Sequence, residues 1–427
     1  MPVSLISRVR RKRTLAKAWR VISSNARSSQ SSETRREVDL FALDADVHLD
    51  RIQRQLNRNK FRFEPARGVP IPKKGKDTIR PIVVAPIDSR IVQRAIHDVL
   101  LTVPKIKALA SHPCSFGGVQ KTPDQMLGAV PAAIQAVLIG IAEGARFVIR
   151  SDISAFFTRI PKPVVISIVS EAIEDPEFLR LFKEALEVEL ENLAALGIHA
   201  SDFPLGEVGV AQGSSLSPLM GNLLLYEFDE EMNKGDCRCI RYIDDFLIMA
   251  RDQESAQKSF SQAATLLKRY GLSTSQSKTF RGSIERGFQF LGIEIGNGRI
   301  IPTKESRNKL LAKVKERLDA SLEELSSSKE CKALDRAHTL IRTLTEVSGI
   351  VNGWGHHYSF CNEKNVVGQL DMRLDQLIHE YSRRYASVRK SSDWKKSRRM
   401  LGVPLLEELA TSPLTWPESK LSRSAGM

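Results

Sequence analysis

Two acidic residues stand side by side, Asp244 and Asp245, inside the run Cys239-Ile-Arg-Tyr-Ile-Asp-Asp-Phe-Leu-Ile-Met249. β-forming residues flank the pair on both sides, which predicts a strand, a tight turn and a second strand with the acids at the hairpin tip. A turn alone is a poor explanation, because the usual turn pairs contain glycine and none is present. Adjacent carboxylates also repel each other unless a cation neutralises them. A third acid, Asp152, ends the short apolar run Arg146-Phe-Val-Ile-Arg-Ser-Asp152, with Phe156 and Phe157 just beyond it. Taken alone, Asp152 reads as a strand end or a helix cap. Together the three acids form a candidate ligand set for a divalent metal. Hard oxygen ligands suit Mg²⁺, which retains waters and shares its coordination sphere with substrate phosphates. Two such ions roughly 3.5–4 Å apart clamp an in-line attack on phosphorus.

The elements that must carry these acids are expected as strands over Arg146–Ile149, Cys239–Met249 and Gly287–Ile295. Helices are expected over Asp44–Leu56, over the stripe Ile91, Val92, Ala95, Ile96, Val99 and Leu100, and over roughly 162–197. The second of these would be capped by Asp88 or Ser89. Residues 61–87 read as extended, punctuated by five prolines. The first forty residues are basic and then rich in Ser and Arg, which suggests an arm or loosely held helix and a flexible link. From Lys304 the chain reads as almost entirely helical. Leu310, Val314, Leu318, Leu322 and Leu325 make its buried stripe, and Lys309, Lys313 and Arg317 a basic one at i, i+4 spacing. The tail from Lys390 is basic again. The organisation expected is 1–60 as basic arm and helix, 61–300 as the acid-bearing domain, 301–390 as a helical domain and 391–427 as a tail.

With 427 residues, 42% hydrophobic and 27% charged, the chain has the composition of a globular protein and not of a disordered one. Its longest apolar stretch, Ala129–Ala142, is too short to span a bilayer and is expected as a buried helix. Five scattered cysteines argue against a disulfide framework and for a reducing, cytoplasmic setting. The formal charge of +14 points to a polyanionic partner, most often nucleic acid.

Tyr242-Ile-Asp-Asp245 and Asp152-Ile-Ser-Ala-Phe-Phe157 resemble, in order and spacing, two catalytic motifs of the reverse transcriptases. The lineage resembled is the bacterial one of group II intron proteins, retrons and defence-associated enzymes, and the likeness covers about residues 40–360. It implies a right-hand polymerase of α+β class, with fingers, an antiparallel-sheet palm and an all-helical, maturase-like thumb. It implies that Asp152, Asp244 and Asp245 are catalytic and hold two Mg²⁺ ions, with Mn²⁺ as the alternative, and that Ile153 joins the metal site. Ala211-Gln-Gly-Ser-Ser-Leu-Ser-Pro-Leu-Met-Gly-Asn222 resembles a motif that has Pro where Ala211 stands. There Gln212 would meet the nucleotide or template, Gly213 would let the backbone approach a base pair, and Ser217 and Pro218 would open a helix. Ile71-Pro-Lys-Lys-Gly-Lys-Asp-Thr-Ile-Arg-Pro-Ile82 resembles the fingers segment, so that Arg80 and one of Lys73, Lys74 or Lys76 would contact the triphosphate. Phe157 falls at the sugar-gate position, and Lys278 at the lysine near the leaving pyrophosphate. Ser115-Phe-Gly-Gly-Val-Gln120 is similar to a further family stretch only loosely. Tyr242 and the hairpin residues Leu291 and Gly292 would touch the primer-template. Gly349-Ile-Val-Asn-Gly-Trp-Gly-His-His-Tyr358 resembles the thumb signature, and Lys309, Lys313 and Arg317 would face the duplex phosphates. Trp354 and Tyr358 also read as a plain aromatic pair between two helices.

The reaction implied is transfer of dNTPs to a primer 3′-end on an RNA template, giving a DNA/RNA hybrid, without a membrane. No endonuclease signature follows the expected thumb. A stand-alone enzyme paired with a dedicated non-coding RNA in antiphage defence is therefore the role expected by elimination. Two alternatives stay open: an intron-type maturase that binds RNA to assist splicing, and a template-independent or protein-primed DNA polymerase.

Overall fold

The computed structural model describes residues 4–27, 29, 31–73, 78–119, 126–327 and 338–408. Lys74, Lys76 and Gln120 lie outside the described residues, as do 409–427 of the tail. The chain divides into two compact units, Met1–Leu291 and Gly292–Met427.

The first unit opens with four helices, α1 (Leu5–Val9), α2 (Lys12–Arg27), α3 (Ser32–Leu43) and α4 (Ala45–Asn57). The helix expected over Asp44–Leu56 is α4, and where an arm or loosely held helix and a link were expected, α2 and α3 bury apolar side chains. In α2, Leu15, Ala18, Trp19, Ile22 and Ala26 are buried at helical spacing, and the basic residues that dominate the composition take the opposite face. Leu15, Ala18 and Trp19 share one apolar core with Ile91, Val92 and Ile96. The extended segment forms the hairpin β1 (Arg67–Pro72) and β2 (Ile79–Val84), paired antiparallel with Ile71 opposite Arg80. Next comes α5 (Ile87–Leu100). It starts at Ile87 after Pro86, so Asp88 lies inside its first turn and is bound by Arg51 at 2.6 Å instead of capping.

Then follow α6 (Pro104–Ala110), α7 (Ala129–Ala142), β3 (Phe147–Asp152), α8 (Phe156–Arg159), α9 (Lys162–Ser170) and α10 (Pro176–Leu186). The apolar stretch expected as a buried helix is α7, although Leu138 and Ile139 on it are exposed. The single long helix expected over 162–197 is broken. Pro176 disfavours helix at Asp175, whose side chain accepts from the Phe178 N–H and starts α10 afresh, while Leu193–Asp202 is 3₁₀. The unit continues with α11 (Ser217–Leu224), α12 (Tyr226–Met232), β4 (Arg238–Tyr242), β5 (Asp245–Ala250), α13 (Gln253–Arg269), β6 (Phe280–Ser283) and β7 (Phe288–Phe290). Strands β4, β5, β3 and β6 form one antiparallel sheet in that order. Its buried apolar residues, among them Ile149, Phe246 and Ile248, join the core beneath the helices.

The second unit begins with the hairpin β8 (Ile293–Gly296) and β9 (Arg299–Pro302), closed by Asn297 and Gly298, both at positive φ. The Asn-Gly pair suits such a two-residue turn. The helices α14 (Lys304–Ser327), α15 (Leu340–His357), α16 (Lys364–Lys390) and α17 (Trp394–Met400) complete the unit. The stripe Leu310, Val314, Leu318, Leu322 and Leu325 is buried as expected, against Val347, Leu370, Leu374, Tyr381 and Tyr385.

Candidate active site

Strand β3 ends at Asp152 directly opposite Asp245, the first residue of β5. The turn between β4 and β5 carries Asp244, whose carbonyl accepts from the Ile153 N–H at 2.9 Å. Antiparallel pairing therefore delivers three acids, distant in sequence, to one end of the sheet. Each offers a carboxylate oxygen, and these oxygens all lie within 4.8 Å of one another. Among the described residues no other group of three potential ligands gathers in this way.

The electrostatics follow from that crowding. Burial, with the charges of Asp152 and Asp245, pushes the Asp244 carboxyl up to about 7. Burial and Asp152 also raise Asp245. Lys278 offsets part of this: its Nζ lies 2.5 Å from Asp152 Oδ2, and Asp152 is itself nearly buried. The site thus draws cationic charge, and its three acidic side chains fit a hard divalent cation. Asp152, Asp244 and Asp245 would supply carboxylates, while Ile153, an aliphatic residue, can offer only its backbone carbonyl.

The turn itself is unusual. Only Ile243 of the two loop residues has positive φ, at 59°, a pattern that hairpins normally reserve for glycine. A β-branched residue held there costs about 1–3 kcal/mol and persists only where its surroundings enforce it. Tyr242, half-buried at the end of β4, pairs with Asp245, and burial raises its phenol.

Several other residues singled out in the sequence lie on segments of the first unit joined by backbone hydrogen bonds. Phe156 is buried, while Phe157 is half-buried with its ring tilted 5.3 Å from that of Phe156. The carbonyl of Phe157 accepts from Val210 N–H at 2.7 Å, and the Gln212 carbonyl accepts from Val83 N–H at 2.8 Å. These two bonds link the Phe157 segment, the Gln212 loop and the hairpin that bears Arg80. Arg80 and Lys73 are exposed on that hairpin. Gly213 has φ +121°, and a Cβ there would lie 2.7 Å from the Val83 carbonyl oxygen. The close neighbour this glycine permits is the hairpin backbone. Ser217 does not cap α11. Its hydroxyl donates to the Ala211 carbonyl at 2.7 Å and braces the loop, with Leu216 in the cap position.

Leu291 and Gly292 are consecutive residues at positive φ, 51° and 77°. Within the second unit, Gly292 lies close to the Ser306 and Tyr358 hydroxyls. Lys309 and Lys313 are exposed on α14, and Lys309 pairs with Glu305 at 2.7 Å. Arg317 departs from the expected stripe, because its Nε binds Glu346 of α15 at 2.5 Å and its side chain is 15% exposed. It serves to join two helices. Trp354 and Tyr358 form the expected aromatic pair, with centroids 4.6 Å apart.

Sequence reasoning passed over Arg241. It is fully buried within β4, and Nε and Nη2, one edge of its guanidinium, bind the two carboxylate oxygens of Asp229. The available signal was a charged residue at an interior position of a strand, between Ile240 and Tyr242.

The model of the reverse transcriptase (RNA-dependent DNA polymerase) family matches residues 71–295. The chain belongs to the reverse transcriptase family. Its α+β fold, with an antiparallel sheet that presents acids at one end, is the right-hand fold of that family. The chain is 28% identical over 190 residues to the protein YkfC of Escherichia coli, covering 44% of this chain and 46% of that one. It is 27% identical over 183 residues to an uncharacterised 91 kDa protein in the cob intron of Schizosaccharomyces pombe, covering 43% and 20%. The chain thus spans less than half the length of these relatives. Among solved structures it is similar to a partial Cas6-RT-Cas1–Cas2 complex, with 22% identity, a TM-score of 0.34, and coverage of 63% of this chain and 41% of that one.

Proposed function

We propose that this reverse transcriptase is an RNA-directed DNA polymerase that adds deoxynucleotides to a primer 3′-end. The observation that carries the reading is the convergence of Asp152, Asp244 and Asp245 within 4.8 Å at one end of the palm sheet. Divalent ions bound there would neutralise charge on the reacting phosphate and orient it. The chain's own groups do the remainder. Arg80 and Lys73 grip the triphosphate, the guanidinium as a fork and the ammonium as a point charge. Phe157 fills the space that a 2′-hydroxyl would need, and Gln212 hydrogen-bonds the nucleotide or template. Lys278 Nζ carries a proton within reach of the departing pyrophosphate. Its bond to Asp152 supports a place beside the acids. Tyr242, Leu291 and Gly292 position the primer end, and Lys309 and Lys313 of a helical thumb meet duplex phosphates. The net charge of +14 supports RNA as the partner. We infer further that the template is a dedicated non-coding RNA in an antiphage role.

The test is primer extension on an RNA template with Mg²⁺ and dNTPs, together with sequencing of co-purified RNA and cDNA. Asp244→Asn is expected to reduce extension by about a hundredfold or more, the scale of losing one transition-state electrostatic partner. Full extension by that variant would reject the reading. The match to a protein in the cob intron favours a second reading, an RNA-binding splicing cofactor. Splicing of a co-purified RNA by the Asp244→Asn protein would select that one.

A further inference from the structure

We propose that Arg241 is a positioning residue: its buried guanidinium holds the Ile243–Asp244 turn in the left-handed form that turns the acid pair toward Asp152. The proposal rests on the reading of the acid cluster as a metal-binding centre.

Arg241 is 0% exposed and its partner Asp229 1%. Arg241 Nε lies 2.7 Å from Asp229 Oδ1 and Nη2 lies 2.5 Å from Oδ2. A buried ion pair of this kind is weak support for stability, since well-packed apolar residues of the same volume often do as well. The remaining nitrogen shows what the pair is for. Nη1 donates to the Ile243 carbonyl at 2.9 Å and to Asn222 Oδ1 at 3.0 Å. Asp229 thus fixes the fork in orientation, and the fork clamps the strained residue by its carbonyl.

The same turn is gripped from its other side. Asn222 Nδ2 donates to the Gly117 carbonyl at 3.0 Å. Gly117 is pressed against the turn so closely that a Cβ would lie 2.6 Å from Ile243 Cγ1 and 2.8 Å from its nitrogen. The main chain of Arg241 is held as well, donating to the Cys114 carbonyl at 2.8 Å and accepting from Phe116 N–H at 2.9 Å. Beyond the turn, Ile153 N–H binds the Asp244 carbonyl, so displacement at Ile243 reaches the acids of both strands. A lysine at 241 would keep the charge and lose the fork, because one ammonium cannot reproduce a planar set of donors.

The probe is Mn²⁺ alone, titrated into the full chain and followed by the electron paramagnetic resonance of the free ion, with thermal melting as the check on folding. Arg241→Lys is expected to bind Mn²⁺ about tenfold or more weakly, the usual effect of losing a partner that orients metal ligands. In primer extension kcat falls with it while the dNTP KM changes by less than about twofold, as when only transition-state interactions are lost. Adding Ile243→Gly, which relaxes the left-handed residue, restores Mn²⁺ affinity in Arg241→Lys by more than it changes the otherwise native chain. Gly117→Ala perturbs the turn without touching the buried charges, and it too weakens Mn²⁺ binding. It decides the matter alone if Arg241→Lys does not fold. Native Mn²⁺ affinity in the folded variants overturns the positioning role and leaves the metal centre standing. A native chain whose Mn²⁺ binding is unaffected by Asp244→Asn overturns the metal centre, and this proposal with it.

Discussion

Removing one charge from the acid cluster should make the metal-free protein more stable, although it destroys the site. Asp244 is pushed up to about 7 by burial and by Asp152 and Asp245, against about 3.9 for a free aspartate. The folded state therefore holds this proton more tightly than the unfolded chain does. Between about pH 4 and pH 7 the folded protein carries the extra proton, so stability falls as pH rises through that window and is level above it. A shift of about 3 units at 1.36 kcal/mol each sets an upper limit of about 4 kcal/mol on what ionised Asp244 costs in the absence of metal. Asn keeps the shape and lacks the charge. In EDTA at pH 8, Asp244→Asn should melt several degrees above the native chain, at roughly 2–4 °C per kcal/mol for a domain of this size. The gap should close as pH falls toward 4. Mg²⁺ should raise the melting temperature of the native protein and do little for the variant. An Asp244→Asn protein that melts lower than the native one in EDTA at pH 8, or a gap independent of pH, would refute the crowding argument.

Other outcomes follow from single contacts. Phe157→Ala should admit ribonucleotides, reducing the preference for dNTP over rNTP by about tenfold or more in competitive extension, the scale of one apolar steric contact. Gly213→Ala meets a positive φ and the Val83 carbonyl together, so it should destabilise the first unit by about 1–3 kcal/mol in urea melts and lower activity by displacing Gln212. Leu318→Ala should cost about 2–5 kcal/mol in the melting of the second unit, because Leu318 is buried in its core. The affinity for RNA should fall steeply between 50 and 200 mM salt through counterion release, measured by filter binding, and a flat response would reject a phosphate-led interface.

The acid hairpin could be read from the chain because two runs of β-formers bracket Asp244 and Asp245, leaving the acids no place but the turn. The stripe from Leu310 to Leu325 was equally plain, since helical spacing and burial coincide there. What escaped notice was whatever depends on partners remote in sequence. Arg317 stands in line with Lys309 and Lys313, and only the approach of Glu346 turns it inward. Ser217 precedes a proline as a capping serine would, yet the Ala211 carbonyl competes successfully for its hydroxyl. The left-handed backbone of Ile243 has no local signature at all, because isoleucine is a residue that avoids it. Of the N-terminal helices α4 was expected over Asp44–Leu56, whereas α2 and α3 were hidden by composition: Ser and Arg dominate residues 23–36, while the apolar stripe of α2 lies mostly before them.

That N-terminal packing bears on how the protein can be cut. The match to the family model starts at residue 71, which invites an expression clone trimmed to that point. Such a clone would strip Leu15, Trp19, Leu49 and Ile52 from the interior they share with Ile91 and Ile96, and leave an oily wound on α5. Residues of that shared core occur from Ile6 onward, some sixty residues before the family match begins, and truncation series should step inward from there.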